Sequence, residues 1–308
     1  MPGGSPRVSA TSRSERRGST GEPWVHPFYE NSYRSAASDA EGDLTSGRCV
    51  RRKQYVRLAA GLVILTAVLA LLGCGESTNY PDQPSAVGPI GKGAAGVWLF
   101  RPAGKPKDLV VYFHGQGGFT EATPVNHRPW IDHLVARGSV VVYPRWELTY
   151  ENDPMQYVVA GVRTATKRVD VGGLPVLSIG YSRGGALALE YGAVAARNEL
   201  PVPDKIVSIF PSSVGNQQHV IDLTPLDHST GVLIQLGEAD AVVGKEGARD
   251  LLRRLKAGGF PAQNIELDFV DSKAGFKADH TAPFRTTPAA RAAFWRPADL
   301  LLDGLADS

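Results

Sequence analysis

The chain has 308 residues and a formal net charge of +2, from 33 Lys and Arg against 31 Asp and Glu. Its 43% hydrophobic and 21% charged residues exclude wholesale disorder and fibrous repeats. So weak a charge gives no footing for nucleic acid, and two cysteines are too few for a disulfide scaffold or a zinc cluster.

The charge is unevenly spread. Residues 1–73 hold 10 basic and 6 acidic side chains, whereas the remaining 235 hold 23 and 25. Residues 1–47 are rich in Ser, Gly, Arg and Glu without apolar periodicity, and are expected to be a disordered extension. Residues 48–73 read as a signal peptide. Arg48, Arg51, Arg52, Lys53 and Arg57 make its basic start, and an uncharged apolar run follows from Leu58 to Leu72. That run spans only about 22 Å as a helix, short of the ~30 Å hydrocarbon core. It ends in Leu71-Leu72-Gly73-Cys74, which resembles the lipobox of bacterial lipoproteins, although Leu72 is bulkier than the small residue usual there. The resemblance implies cleavage before Cys74, lipidation of that cysteine, and a lipid anchor on the outer face of the cytoplasmic membrane or cell envelope. An ordinary signal peptide or a short membrane anchor is the alternative. Arg51-Arg52 hints at twin-arginine export, but Gln54 stands where that motif wants a hydrophobe. A signal beginning some fifty residues in also suggests a start further downstream, for example at Val50. Residues 74–90, polar and proline-containing, read as a flexible tether.

Residues 91–308 alternate short apolar runs with helical patterns. This predicts one α/β domain whose mostly parallel central sheet is flanked by helices. Strands are expected at 97–100, 109–113, 139–143, 176–179, 205–210, 232–236 and 265–270. Helices are expected near 126–137, 154–169, 183–198, 246–257 and 288–303. Asp153-Pro154 marks one helix start and Gly138 one helix end.

Gly180-Tyr181-Ser182-Arg183-Gly184 fits G-x-S-x-G, with an apolar strand running in and an alanine-rich helix running out. Glycine at 180 and 184 removes side chains that would collide across so sharp a turn and leaves the serine hydroxyl at the sheet edge. At these residues the chain resembles the α/β-hydrolase family over most of 95–300. The resemblance implies Ser182 as nucleophile, with the acid and the histidine following it in that order. A serine hydroxyl needs an adjacent base and a group to orient that base. Gly237-Glu238-Ala239-Asp240 resembles the family's acid segment and implies Asp240 as the acid, with Glu238, Asp222 and Asp227 as alternatives. His280, about ten residues past the last strand, matches the family's catalytic histidine. His127 and His133 read as surface or packing residues, and His219 and His228 could at most touch substrate. Asp279 either tunes His280 or is a solvated loop charge. His114-Gly115-Gln116-Gly117-Gly118 resembles the family's H-G-x segment. It implies an oxyanion hole from the amides of Arg183 and Gln116, with Gly117 as the alternative donor and His114 as a structural hydrogen-bonder.

Only about 21 residues, Pro211 to Gly231, separate the strand after the elbow from the next, too few for a large cap domain. An open site is expected, bordered by Trp146, Tyr150, Gln218 and His219. It suits small or polymeric acyl substrates. The expected activity is ester hydrolysis; acyl transfer, peptide cleavage or a non-catalytic binding lipoprotein are the alternatives. No metal or nucleotide-cofactor motif is present, so no cofactor is expected. Nothing in the sequence speaks to oligomeric state.

Overall fold

The computed structural model describes residues 81–118, 120–213 and 219–306. The expected extension, signal peptide, Cys74 and Gln218 lie outside the described residues. Among those described, no helix is long and apolar enough to cross a membrane.

Eight strands form one sheet in the order β1-β2-β4-β3-β5-β6-β7-β8. They are β1 (Ser85–Ile90), β2 (Val97–Arg101), β3 (Asp108–Phe113), β4 (Ser139–Pro144), β5 (Val176–Tyr181), β6 (Lys205–Ile209), β7 (Gly231–Gly237) and β8 (Ile265–Val270). The six from β4 to β8 run parallel, and β2 and β1 add antiparallel at one edge. The mostly parallel sheet is as the sequence predicts. Strand β1 corrects the expected tether. Ser85, Ala86, Val87 and Ile90 pair with β2 through the main chain, with an irregularity between Val87 and Ile90, and only Ile90 is buried, so no apolar pattern announces the strand.

Successive residues of the central strands enter opposite layers, as the period of two requires. Leu109, Val111 and Phe113 join one core cluster, and Val110 and Tyr112 the other. The first cluster takes α2 (Pro154–Thr166), α3 (Arg183–Ala195) and α4 (Glu246–Ala257). The second takes α1 (Arg128–Arg137) and the C-terminal helical stretch. That stretch comprises α5 (Pro288–Ala290), a π-helical segment Arg291–Trp295 and α6 (Arg296–Ala306). Every residue of α3 is buried, which is why nine of its thirteen residues are Ala, Gly or Leu and no polar face alternates with an apolar one.

From β3 the chain moves outward to β4, then crosses back so that β5 pairs on β3's other side. The order of strands thus reverses between β3 and β5. In an open α/β sheet, a crevice forms at the carboxyl ends of the strands where that happens. The loop starting at His114 leaves β3 there, and Ser182 directly follows β5.

Candidate active site

Ser182 sits between β5 and α3 with φ 55° and ψ −122°, a strained conformation for a residue with a side chain. Its N–H donates to the Ile209 carbonyl (2.9 Å), and its carbonyl accepts from Gly185 (2.9 Å) and Ser212 (3.1 Å). These bonds hold the turn shut. A Cβ at position 180 would lie 1.9 Å from the Gly184 carbonyl oxygen, and one at 184 would lie 2.3 Å from those of Phe113 and His114. Both contacts are with backbone, so neither glycine has a substitute.

The serine hydroxyl lies 3.1 Å from His280 Nε2, and His280 Nδ1 lies 2.9 Å from Asp240 Oδ2. An ionised carboxylate only accepts, so Nδ1 carries the ring proton and Nε2 turns its lone pair to Ser182. The other carboxylate oxygen of Asp240 accepts from the N–H groups of Val242 (2.9 Å) and Val243 (3.2 Å), which fixes its rotation. Asp240 leaves the carboxyl end of β7, and its side chain is buried.

The His280 loop is tied from two sides. The Tyr181 hydroxyl donates to the His280 carbonyl (2.7 Å), and the Tyr181 ring lies against the imidazole with centroids 4.9 Å apart. Asp279 accepts from both the N–H and the hydroxyl of Thr281, and from Arg285 with each carboxylate oxygen at 2.7 Å. Burial would raise the Asp279 pKa, but the hydrogen bonds from Arg285 and Thr281 outweigh it and hold it below the usual carboxylate range. Asp279 therefore anchors the loop through Arg285.

The alternative acids are engaged elsewhere. Asp222 and Asp227 accept from Thr224 and Ser229 two residues on, and Glu238 accepts from the Ser272 N–H. His127 is buried and bonded to Glu121 (2.9 Å) and the Tyr112 hydroxyl (3.1 Å), while His133 meets Asp299. The Glu121–His127 pair has no signal in the sequence, where Glu121 stands in an unpatterned loop six residues before the histidine.

His114 is buried under the β3 loop. Its Nδ1 lies 2.7 Å from the Gly115 carbonyl, and its Nε2 lies 2.7 Å from that of Arg145. Burial pushes its pKa down to about 4, so the neutral ring donates from one nitrogen at a time. Gly115 lets the loop backbone pass against Ser182, since a Cβ at position 115 would lie 3.2 Å from Ser182 Cβ. Gln116 comes next, exposed at the crevice, and its N–H has no hydrogen-bond partner among the described residues. The Gly117 N–H donates instead to Glu147 Oε1 (2.6 Å), so the alternative oxyanion donor is already engaged. Arg183 opens α3, where its N–H falls outside the helix's own ladder. Its side chain turns inward to Glu190 (3.0 Å), which Arg254 meets from α4 (3.0 Å).

Tyr150 and His219 are exposed on loops leaving β4 and β6, joined by a bond from the His219 N–H to the Asn152 carbonyl (2.8 Å). Trp146 is not part of that rim. It is fully buried and stacked on the His114 ring with centroids 4.8 Å apart, because a positive φ of 37° turns it inward. Among the described residues no cluster of His, Cys, Asp and Glu could hold a metal ion.

Neither a family model nor a curated protein matches the chain. Solved structures do. Esterase B of Lactobacillus rhamnosis, solved with a tributyrin phosphonate, aligns over 74% of this chain and 88% of its own, with a TM-score of 0.57 at 15% identity. This chain has the α/β-hydrolase fold. Carboxyl esterase 2 of the fungus Tuber melanosporum shares the hydrolase fold at a TM-score of 0.50 and 18% identity, over 77% of this chain and 88% of that one. Esterase 2 of Thermogutta terrifontis, phosphorylated by paraoxon, shares it at 0.50 and 15%, over 71% and 94%.

Proposed function

We propose that the protein is a serine hydrolase that cleaves an ester or related acyl bond through an acyl-enzyme. The observation that carries this reading is the unbroken run from Asp240 through His280 to Ser182, ending on a serine in a strained turn. In the proposed reaction, His280 Nε2 takes the hydroxyl proton as Ser182 Oγ attacks the carbonyl carbon. Asp240 stabilises the imidazolium that forms. The amides of Gln116 and Arg183 receive the developing oxyanion, helped by the positive end of α3. The imidazolium then protonates the leaving alkoxide. Water, deprotonated by the same ring, attacks the acyl-enzyme and frees the acid and the serine.

Tyr150 and His219 would border the acyl or alcohol group, and the short β6–β7 connection leaves the crevice open to bulky or polymeric substrates. Esters are preferred over amides because the fold neighbours named above are called esterases. Export and lipidation at Cys74 remain part of the proposal, on the strength of the basic and apolar segments before Leu71-Leu72-Gly73-Cys74.

A fluorophosphonate probe tests the site. It is expected to add one phosphonyl group to Ser182, found by peptide mass spectrometry, and to abolish turnover of a short-chain chromogenic ester in step with labelling. An unlabelled Ser182 together with absent turnover would overturn the reading.

A further inference from the structure

The loop after β3 ends on a pair of amides aimed at one atom. The N–H groups of Gly117 and Gly118 both donate to Glu147 Oε1, at 2.6 and 2.7 Å. Gly118 has φ +58°, which turns successive N–H groups to the same side and forms a small anion-holding concavity. The anion in it is a carboxylate of the chain itself, 1% exposed. Glu147 reaches the loop because the turn at Trp146 reverses the backbone, with the Glu147 N–H bonded to the Arg145 carbonyl. The surroundings do not favour a charge there. Burial raises the Glu147 pKa, the two glycine amides oppose that, and the nearby Glu121 and Glu151 carboxylates raise it further.

We propose that Glu147 is a positioning residue for the oxyanion loop. By taking the amides of Gly117 and Gly118 it fixes the backbone around Gln116. It also leaves the Gln116 N–H, which has no partner among the described residues, as a donor beside Ser182. Donors aimed at an oxyanion lose most of their effect when they must reorganise, so holding this loop raises the rate without adding substrate binding. The idea rests on the serine hydrolase reading of the site.

The test compares the full chain with Glu147→Gln, which keeps one acceptor oxygen, and Glu147→Ala, which keeps none. Three readouts are taken: hydrogen exchange of the segment 114–120, kcat and KM on a chromogenic ester, and affinity for a trifluoromethyl ketone that mimics the tetrahedral adduct. Exchange at the two glycine amides is expected to quicken about tenfold in Glu147→Gln. Its kcat is expected to fall about tenfold with KM within about twofold, and ketone affinity to fall in parallel with kcat. Glu147→Ala is expected to lose about 100-fold in kcat; should it not fold, Glu147→Gln decides alone. Unchanged exchange, unchanged kcat or a loss confined to KM would each overturn the proposal. A wild-type chain that neither turns over esters nor reacts with a fluorophosphonate would instead overturn the hydrolase reading and the catalytic part with it. In that case the exchange measurement still decides whether Glu147 holds the loop.

Discussion

Replacing Ser182 by alanine is expected to lower ester turnover by a factor on the order of a millionfold, with thermal stability nearly unchanged. The rate loss follows because, in the proposed reaction, the Ser182 hydroxyl is the attacking group and nothing else in the site can replace it; the amides and the binding crevice alone would sustain only a small residual rate. Stability is spared because, among the described residues, the hydroxyl's side-chain hydrogen bond is to His280 alone, at the mouth of the crevice. Alanine also inherits the same strained backbone, φ 55° and ψ −122°. Ser182→Gly separates the two effects. It is expected to be equally inactive but about 1 kcal/mol more stable, because glycine has no Cβ to resist that conformation. Turnover and thermal melts of both variants check this. Activity in Ser182→Ala within tenfold of the wild type would remove Ser182 from the mechanism.

The parts of this molecule legible in sequence are those whose determinants are contiguous. The elbow is one: two glycines forced by backbone contact, a buried strand before them and an all-buried helix after. The parallel strands are another, since burial on both faces leaves continuous apolar runs such as Leu109 to Phe113. Strand β1 was not legible, because an edge strand with Gly88, Pro89 and mostly exposed side chains is held by main-chain bonds that leave no pattern. Trp146 departs from the expected rim because a tryptophan in a polar loop has the sequence signature of a contact residue whether it points out or in. Only the fold brings His114 beneath it. Glu147 carried no signal at all, for its two partner amides lie 30 and 29 residues away and amides have no identity in sequence. The π-helical segment Arg291–Trp295 likewise hides in an ordinary helical pattern, with Phe294 and Trp295 buried on its inner side.

Asp240→Asn is expected to cost about 10,000-fold in kcat while leaving the fold intact, and the hydrogen bonds around it say why. One carboxylate oxygen is occupied by the amides of Val242 and Val243, which only donate. Asparagine must therefore put its carbonyl oxygen there, which turns its NH2 toward His280 Nδ1. That nitrogen then has to accept, so the ring proton moves to Nε2 and faces Ser182. A ring in that tautomer cannot take the serine proton, although every heavy atom keeps its place. The residual rate then depends on the small fraction of serine already ionised, which grows about tenfold per pH unit well below its own pKa. A pH profile of kcat/KM for Asp240→Asn should accordingly keep climbing through the alkaline range where the wild type has levelled. A flat profile, or a kcat within tenfold of the wild type, would mean that Asp240 does not set the tautomer of His280.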